Sequence, residues 1–235
     1  MQDFGQAFSL AFQLIVSADP MLSEIIFLSL RVSLSAVIIA SVIGLGIGAT
    51  VGIVRFPGRS AIIVFLNALM GLPPVVVGLL VYMSLSHAGP FGWLHLLYTP
   101  TAMIVAQTVL VTPIIASLSR QVIEDLYIEY REQFLSLGVP PKMAVAALLW
   151  DARYSLLTVA LAGFGRAIAE VGAVIIVGGN IKHVTRVMTT AIALETSKGD
   201  LALALALGLI LILIALSVNA TVSLLRLNAS NSAYA

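Results

Sequence analysis

Sixty consecutive residues, 60 to 119, contain no Asp, Glu, Lys or Arg, and further uncharged runs cover 32–54 and 201–225. A hydrocarbon layer about 30 Å thick takes roughly 20 residues of helix, whereas a strand or helix in a soluble core needs no run of this length. The chain therefore reads as an all-α polytopic membrane protein. Of its 235 residues 60% are hydrophobic and 10% charged, and the mean hydropathy is +1.08; in soluble domains about a quarter of residues are charged. A net charge of +1 without a basic cluster argues against a nucleic-acid partner. The absence of cysteine excludes disulfides, thiolate chemistry and Cys-based metal sites. No Lys or Arg occurs in residues 1–30, so the basic start of a secretory signal is missing.

The charge pattern predicts one domain over 1–235 with five spans, at about 25–54, 61–86, 100–119, 156–177 and 201–225. The segment 1–20 is apolar over 4–16 but too short to cross, and is expected to lie in the interface or dock on the bundle. A polar stretch at 120–153 holds five of the eleven acids and four of the twelve bases, and a polar tail occupies 226–235. If 120–153 is cytoplasmic, that side carries Arg55, Arg59, Arg120, Arg131, Lys142, Arg153 and Arg226, against Lys182, Arg186 and Lys198 outside. The positive-inside rule then sets the N-terminus outside and the C-terminus inside. A sixth span made from the N-terminal segment would break that parity.

Three features depart from plain lipid-facing helices. In the second span, Gly71-Leu72-Pro73-Pro74-Val75-Val76-Val77-Gly78 places two prolines where each removes a backbone donor. Freed carbonyls at bilayer depth are tolerated only against protein or water, so Pro73 and Pro74 mark either a packing kink or part of a transport path. In the fourth span, Gly163 to Gly172 (GFGRAIAEVG) sets Arg166 and Glu170 four apart on one helical face. A charge there costs about 2.5–3.5 kcal/mol, so the two are read as an ion pair or as a gate. Gly172, Gly178, Gly179 and Asn180 leave room and donors for an anion. In the polar stretch, 128–145 (IEYREQFLSLGVPPKMAV) reads as an amphipathic helix halted at Gly138 and restarted by Pro140-Pro141. Apolar Phe134, Leu135 and Leu137 there need covering, by the chain's own helices or by a soluble partner.

Other signals do not support chemistry. Gly44, Gly46, Gly48 and Gly52 imitate a nucleotide loop, but they lie inside an uncharged span and suit close helix packing. His87, His95 and His183 are scattered, so no metal site is expected. A membrane enzyme would need a paired acid and base or a metal cluster at one depth, and none is visible. A self-contained channel or ion-coupled carrier would need intramembrane ionisable groups, of which Arg166 and Glu170 are a thin supply.

Glu132-Gln133-Phe134-Leu135-Ser136-Leu137-Gly138 resembles, in degenerate form, the cytoplasmic Glu-Ala-Ala-x-x-x-Gly motif of membrane subunits of ATP-binding-cassette importers. The stretch GFGRAIAEVGAVIIVGGNI at 163–181 resembles the corresponding segment of oxyanion permeases for molybdate, tungstate and sulfate. With NALMGLPPVVVG at 67–78 and MTTAIALETSKGD at 188–200 it is most similar to the tungstate type, over about 25–218. The resemblance implies a type I importer permease fold with about five spans and a cytoplasmic coupling helix, in a prokaryotic plasma membrane, which is the inner membrane if the cell is Gram-negative. Its partners would be a second copy of the chain, a cytoplasmic ATPase and an extracytoplasmic oxyanion-binding protein, besides the lipid bilayer. Glu132, Phe134, Leu135, Leu137 and Gly138 would couple to the ATPase. Pro73, Pro74, Arg166, Glu170, Gly172, Gly179 and Asn180 would line the path or gate. Lys182, Arg186 and Lys198 would meet the anion or the binding protein at the outer face, or are solvated loop charges. No catalytic residue and no cofactor are expected in this chain, which has no phosphate-binding Gly-x-x-x-x-Gly-Lys-Ser/Thr loop; ATP with magnesium would sit in the ATPase. Tungstate is the expected cargo, with molybdate or sulfate as alternatives.

Overall fold

The computed structural model describes residues 4–17 and 19–233, with side chains described for 6–140 apart from 18, and for 143–221. The ends of the N-terminal segment and polar tail, at 1–3 and 234–235, lie outside the described residues, as do the side chains of Lys142 and Arg226. Among the described residues ten α-helices follow one another: α1 (Phe4–Val16), α2 (Pro20–Ile53), α3 (Arg59–Met70), α4 (Pro74–Leu85), α5 (Pro100–Ser136), α6 (Pro141–Asp151), α7 (Arg153–Ile168), α8 (Gly172–Gly178), α9 (Met188–Lys198) and α10 (Leu201–Ala233). A single 3-10 turn, Gly92–Leu94, lies between α4 and α5. Among the described residues there is no strand.

Among the described residues three segments are long and apolar enough to cross a membrane: α2, α5 and Leu201–Thr221 of α10. The count rises to five if the broken pairs α3 with α4 and α6 with α7 each make one span. The third expected span, 100–119, extends to Ser136, so the first half of the polar stretch continues a long helix. The fourth, 156–177, is not one helix: α7 stops at Ile168, and α8 restarts at Gly172. The second breaks between Met70 and Pro74. There a residue that precedes proline is pushed out of the helical region, and Pro73 is extended at φ −64° and ψ 122°. Pro74 takes the first position of α4, where no amide donor is required.

The chain forms two compact units. The first comprises 1–36, 73–107 and 167–218; the second comprises 37–72, 108–166 and 219–235. In the second unit, glycines four apart on α2 face α5. A Cβ on Gly44 would lie 2.9 Å from Ile115, one on Gly48 2.5 Å from the Ala116 carbonyl oxygen, and one on Gly52 3.3 Å from the Arg120 carbonyl oxygen. Nothing lies within 4 Å of a Cβ on Gly46. Three of the four glycines thus bring two backbones together, as small residues at this spacing do in membrane helices. Next to this seam Ala49, Ile53, Ile123, Leu148, Ala152 and Leu156 form a core. Arg59 closes the end of α2, giving Nε to Val51 O at 2.7 Å and a second nitrogen to Glu124 at 2.7 Å. Arg120 binds the other oxygen of that carboxylate. Cations suit the negative end of a helix, and Glu124 balances one of the two guanidinium groups.

Gly48→Ala is expected to lower stability by about 1–3 kcal/mol, the usual range for overpacking, because its methyl group meets backbone. Gly46→Ala should be neutral or slightly stabilising. Thermal midpoints of the two purified variants against wild type check the contrast.

Candidate translocation site

Two of the broken stretches meet in the first unit. A Cβ on Gly78 would stand 2.7 Å from Ala173 Cα, and one on Gly172 would stand 2.8 Å from Val75 Cγ2. The α4 helix therefore lies directly on the backbone of α8 at Gly78, while at Gly172 an added side chain would meet the Val75 side chain, which would have to give way. Ala173, Val174 and Val177 are buried by this contact and by the surrounding helices. Pro73, Pro74, Glu170, Gly172, Gly179 and Asn180 all belong to this unit, whereas Arg166 belongs to the other.

Glu170 does not share one helical face with Arg166 as expected, because α7 ends at Ile168 and leaves Glu170 in the gap before α8. The local chemistry accounts for the break. Glu170 folds its carboxylate onto the Ala173 amide at 3.2 Å, a side-chain-to-backbone bond that competes with helix continuation. Its own carbonyl accepts the Thr189 hydroxyl at 2.9 Å. Gln107 Nε2 donates to Ala167 O, near the end of α7, at 3.0 Å, and the Glu170 amide reaches the same oxygen at 3.2 Å. Gln107 is 3% and Glu170 5% exposed. Sequence reading missed Gln107; its only signal was a long amide side chain inside an uncharged run.

Beyond α8 the chain turns through Gly179 at φ +71° and Asn180 at φ +50°. This loop is held from within. The Thr185 hydroxyl donates to Gly178 O and accepts the Ile181 amide at 2.9 Å. The Thr190 hydroxyl lies 2.9 Å from Asn180 Oδ1 and accepts the Val187 amide at 3.2 Å. Ser29 of α2 accepts the first amide of α9, Met188, at 2.8 Å. Asn180 is thus tied to the loop through Thr190, and its nitrogen also lies 3.4 Å from the Thr190 carbonyl oxygen.

The three bases expected at one face differ in environment. Glu195, 5% exposed, holds Lys198 at 3.0 Å and Arg186 at 3.7 Å. Lys182 is exposed and lines a shallow site with Glu24, His183 and Arg186. His183 pairs with Glu24 at 2.7 Å. His87 and His95 are neighbours, with ring centres 5.3 Å apart, and among the described residues no group of three or more His, Cys, Asp or Glu gathers as metal ligands.

The expected coupling element lies in the second unit. Gly138 at φ +63° ends α5 in a reversal in which the Val139 amide bonds Phe134 O at 2.9 Å and the Gly138 amide bonds Leu135 O at 3.2 Å, a Schellman turn. Phe134 stacks with Tyr127 at 6.3 Å and packs against the core. Leu135 and Leu137 point outward, 65% and 76% exposed, and Glu132 is also exposed. The chain's own helices therefore cover Phe134 and leave the two leucines open.

Residues 42–228 match the family of binding-protein-dependent transport system inner membrane components. The chain is 40% identical over 200 residues to the tungstate uptake system permease protein TupB of Peptoclostridium acidaminophilum, covering 85% of this chain and 88% of that protein. It is 41% identical over 185 residues to a probable anion ABC transporter permease protein of Haloferax volcanii, covering 77% and 80%. The sulfate transport system permease protein CysW of Escherichia coli K12 is 28% identical over 200 residues, covering 81% and 69%.

Thr190→Val removes the acceptor of the Val187 amide and is expected to destabilise the fold by about 1–3 kcal/mol, the cost of an unsatisfied buried polar group. Hydrogen exchange followed by mass spectrometry should show loss of protection in the peptide that contains Val187.

Proposed function

The chain belongs to the family of binding-protein-dependent transport system inner membrane components, and from that premise we propose that it carries tungstate through the membrane. It is a multi-pass subunit of a prokaryotic plasma-membrane ABC importer and a transport component rather than an enzyme. Membership implies an ATPase and a substrate-binding protein as partners.

The observation that carries the tungstate reading is the 40% identity to a tungstate uptake permease over most of both chains, above the 28% shared with a sulfate permease. Tungstate, molybdate and sulfate are all tetrahedral dianions. A rigid donor cage in the binding protein separates such ions best, while the permease offers a passage that the ion can leave. The crossing of α4 over α8, with the turn at Gly179 and Asn180, is the part of this chain we assign to that passage. Glu170 is assigned to its gating, and Lys182, Arg186 and Lys198 to its outer approach.

Coupling is assigned to the reversal at Gly138. Leu135 and Leu137 present apolar surface that this unit does not cover, beside Glu132, and a groove on the ATPase is the proposed occupant. Two copies of the chain would place two such elements on an ATPase pair. ATP with magnesium would bind there, and closure of the ATPases would draw the elements together and turn the permease outward.

The test is ATP hydrolysis by the co-purified permease and ATPase in liposomes, with binding protein loaded with tungstate, molybdate or sulfate. Stimulation by the tungstate-loaded protein above the other two is expected. Equal or greater stimulation by molybdate or sulfate would move the assignment to that anion. The double variant Leu135→Ser with Leu137→Ser should reduce co-purification of the ATPase and abolish stimulation, with the thermal midpoint of the permease unchanged.

A further inference from the structure

Within the first unit lies a cavity of about 10 Å3, walled by Ser29, Ser33, Gln107, Glu170 and Thr189 and by Ile168 at the end of α7. That volume suits one occupant of water size, provided that it finds several polar partners. All five polar side chains are more than nine-tenths buried.

Of the five polar hydrogens on Ser29, Ser33, Thr189 and the Gln107 amide, three are committed elsewhere. The Ser29 hydroxyl donates to Ile25 O at 2.7 Å, and the Thr189 hydroxyl donates to Glu170 O at 2.9 Å. Gln107 Nε2 donates to Ala167 O at 3.0 Å. This last bond fixes the amide orientation, because a flipped amide would set two carbonyl oxygens against each other. Gln107 Oε1 is left buried, and among the described residues it has no hydrogen-bond partner. The carbonyl end of α7 adds partial negative charge.

The cavity therefore offers oxygen lone pairs and few hydrogens. We propose that it binds one electropositive ligand of water size, either a water that gives both hydrogens or a sodium ion, and that it is closed to the transported anion. A four-oxygen dianion exceeds the space and would set its oxygens against Gln107 Oε1 and the Glu170 carboxylate. Gln107 is then a positioning residue: its nitrogen holds the end of α7, and its oxygen holds the ligand that fills the gap beside Glu170. Only the exclusion of the anion rests on the oxyanion reading; the ligand site stands on the acceptor geometry.

The test combines a structure of the permease–ATPase complex, at a resolution that shows waters, in sodium and in choline buffer, with thermal midpoints of wild type and Gln107→Met in both. One compact density within about 3.2 Å of Gln107 Oε1 is expected. For water it persists in choline at an unchanged midpoint; for sodium it disappears in choline and the midpoint falls. Gln107→Met keeps the side-chain length without the carbonyl and should lose the density, together with any sodium dependence. If that variant does not fold, the wild-type densities in the two buffers decide. An empty cavity in both buffers overturns the proposal, as does tetrahedral density there when tungstate is present. Failure of the loaded binding protein to stimulate hydrolysis would remove the anion reading and leave the cavity result standing.

Discussion

An amide or carbonyl left unpaired in the hydrocarbon layer costs several kcal/mol, and this chain interrupts its helices within two of its apolar stretches. The interruptions are possible because side chains and loop amides take over the bonds that a continuous helix would make. Gln107 and the Glu170 amide share Ala167 O. The Glu170 carboxylate takes the Ala173 amide, and Thr189 takes the Glu170 carbonyl. The Tyr98 amide takes Val177 O at 3.0 Å. Each gap is thereby a fixed feature of the fold, and the close crossing of α4 and α8 is what these bonds make room for.

The second unit meets a different constraint. It carries most of the charge in the chain, and its helices are joined by a glycine seam, an aromatic and aliphatic core, and a carboxylate held between two guanidinium groups. Gly44, Gly48 and Gly52 allow α2 to lie on the backbone of α5. Arg59 ties the end of α2 to Glu124. These contacts give the surface that holds Leu135 and Leu137 a firm base.

Much of this was legible in the sequence, because charge-free length alone decides between membrane and soluble folds. The Pro73-Pro74 break, the stop at Gly138 and the glycine packing of α2 also follow from backbone chemistry that acts within a few residues. The break after Ile168 was not legible: GFGRAIAEVG has helical spacing of its two charges, and what interrupts it is Glu170 capping Ala173, supported by Gln107 and Thr189 from distant segments. The amphipathic helix halted at Gly138 was legible, but its continuity with the span at 100–119 through residues 120–127 was not, because that polar stretch carries no apolar run. Helix α9 escaped notice because MTTAIALETSK is short and weakly apolar, and its first amide is satisfied by Ser29, 159 residues away. The segments around Pro73-Pro74 and Gly172 stood out in the sequence, and the meeting of Gly78 with Ala173 and of Gly172 with Val75 is a long-range contact that spacing does not reveal.

The chain has no cysteine, so two introduced thiols are the only ones present. In Val75→Cys with Gly172→Cys, the new sulfurs replace a pair in which a Cβ on Gly172 stands 2.8 Å from Val75 Cγ2, within the geometry a disulfide can span. Mild oxidation of membranes that contain the transporter should form this intrachain cross-link rapidly and in high yield. If both thiols react with a maleimide yet no cross-link forms, the two broken segments do not meet as described, and the account of the site fails.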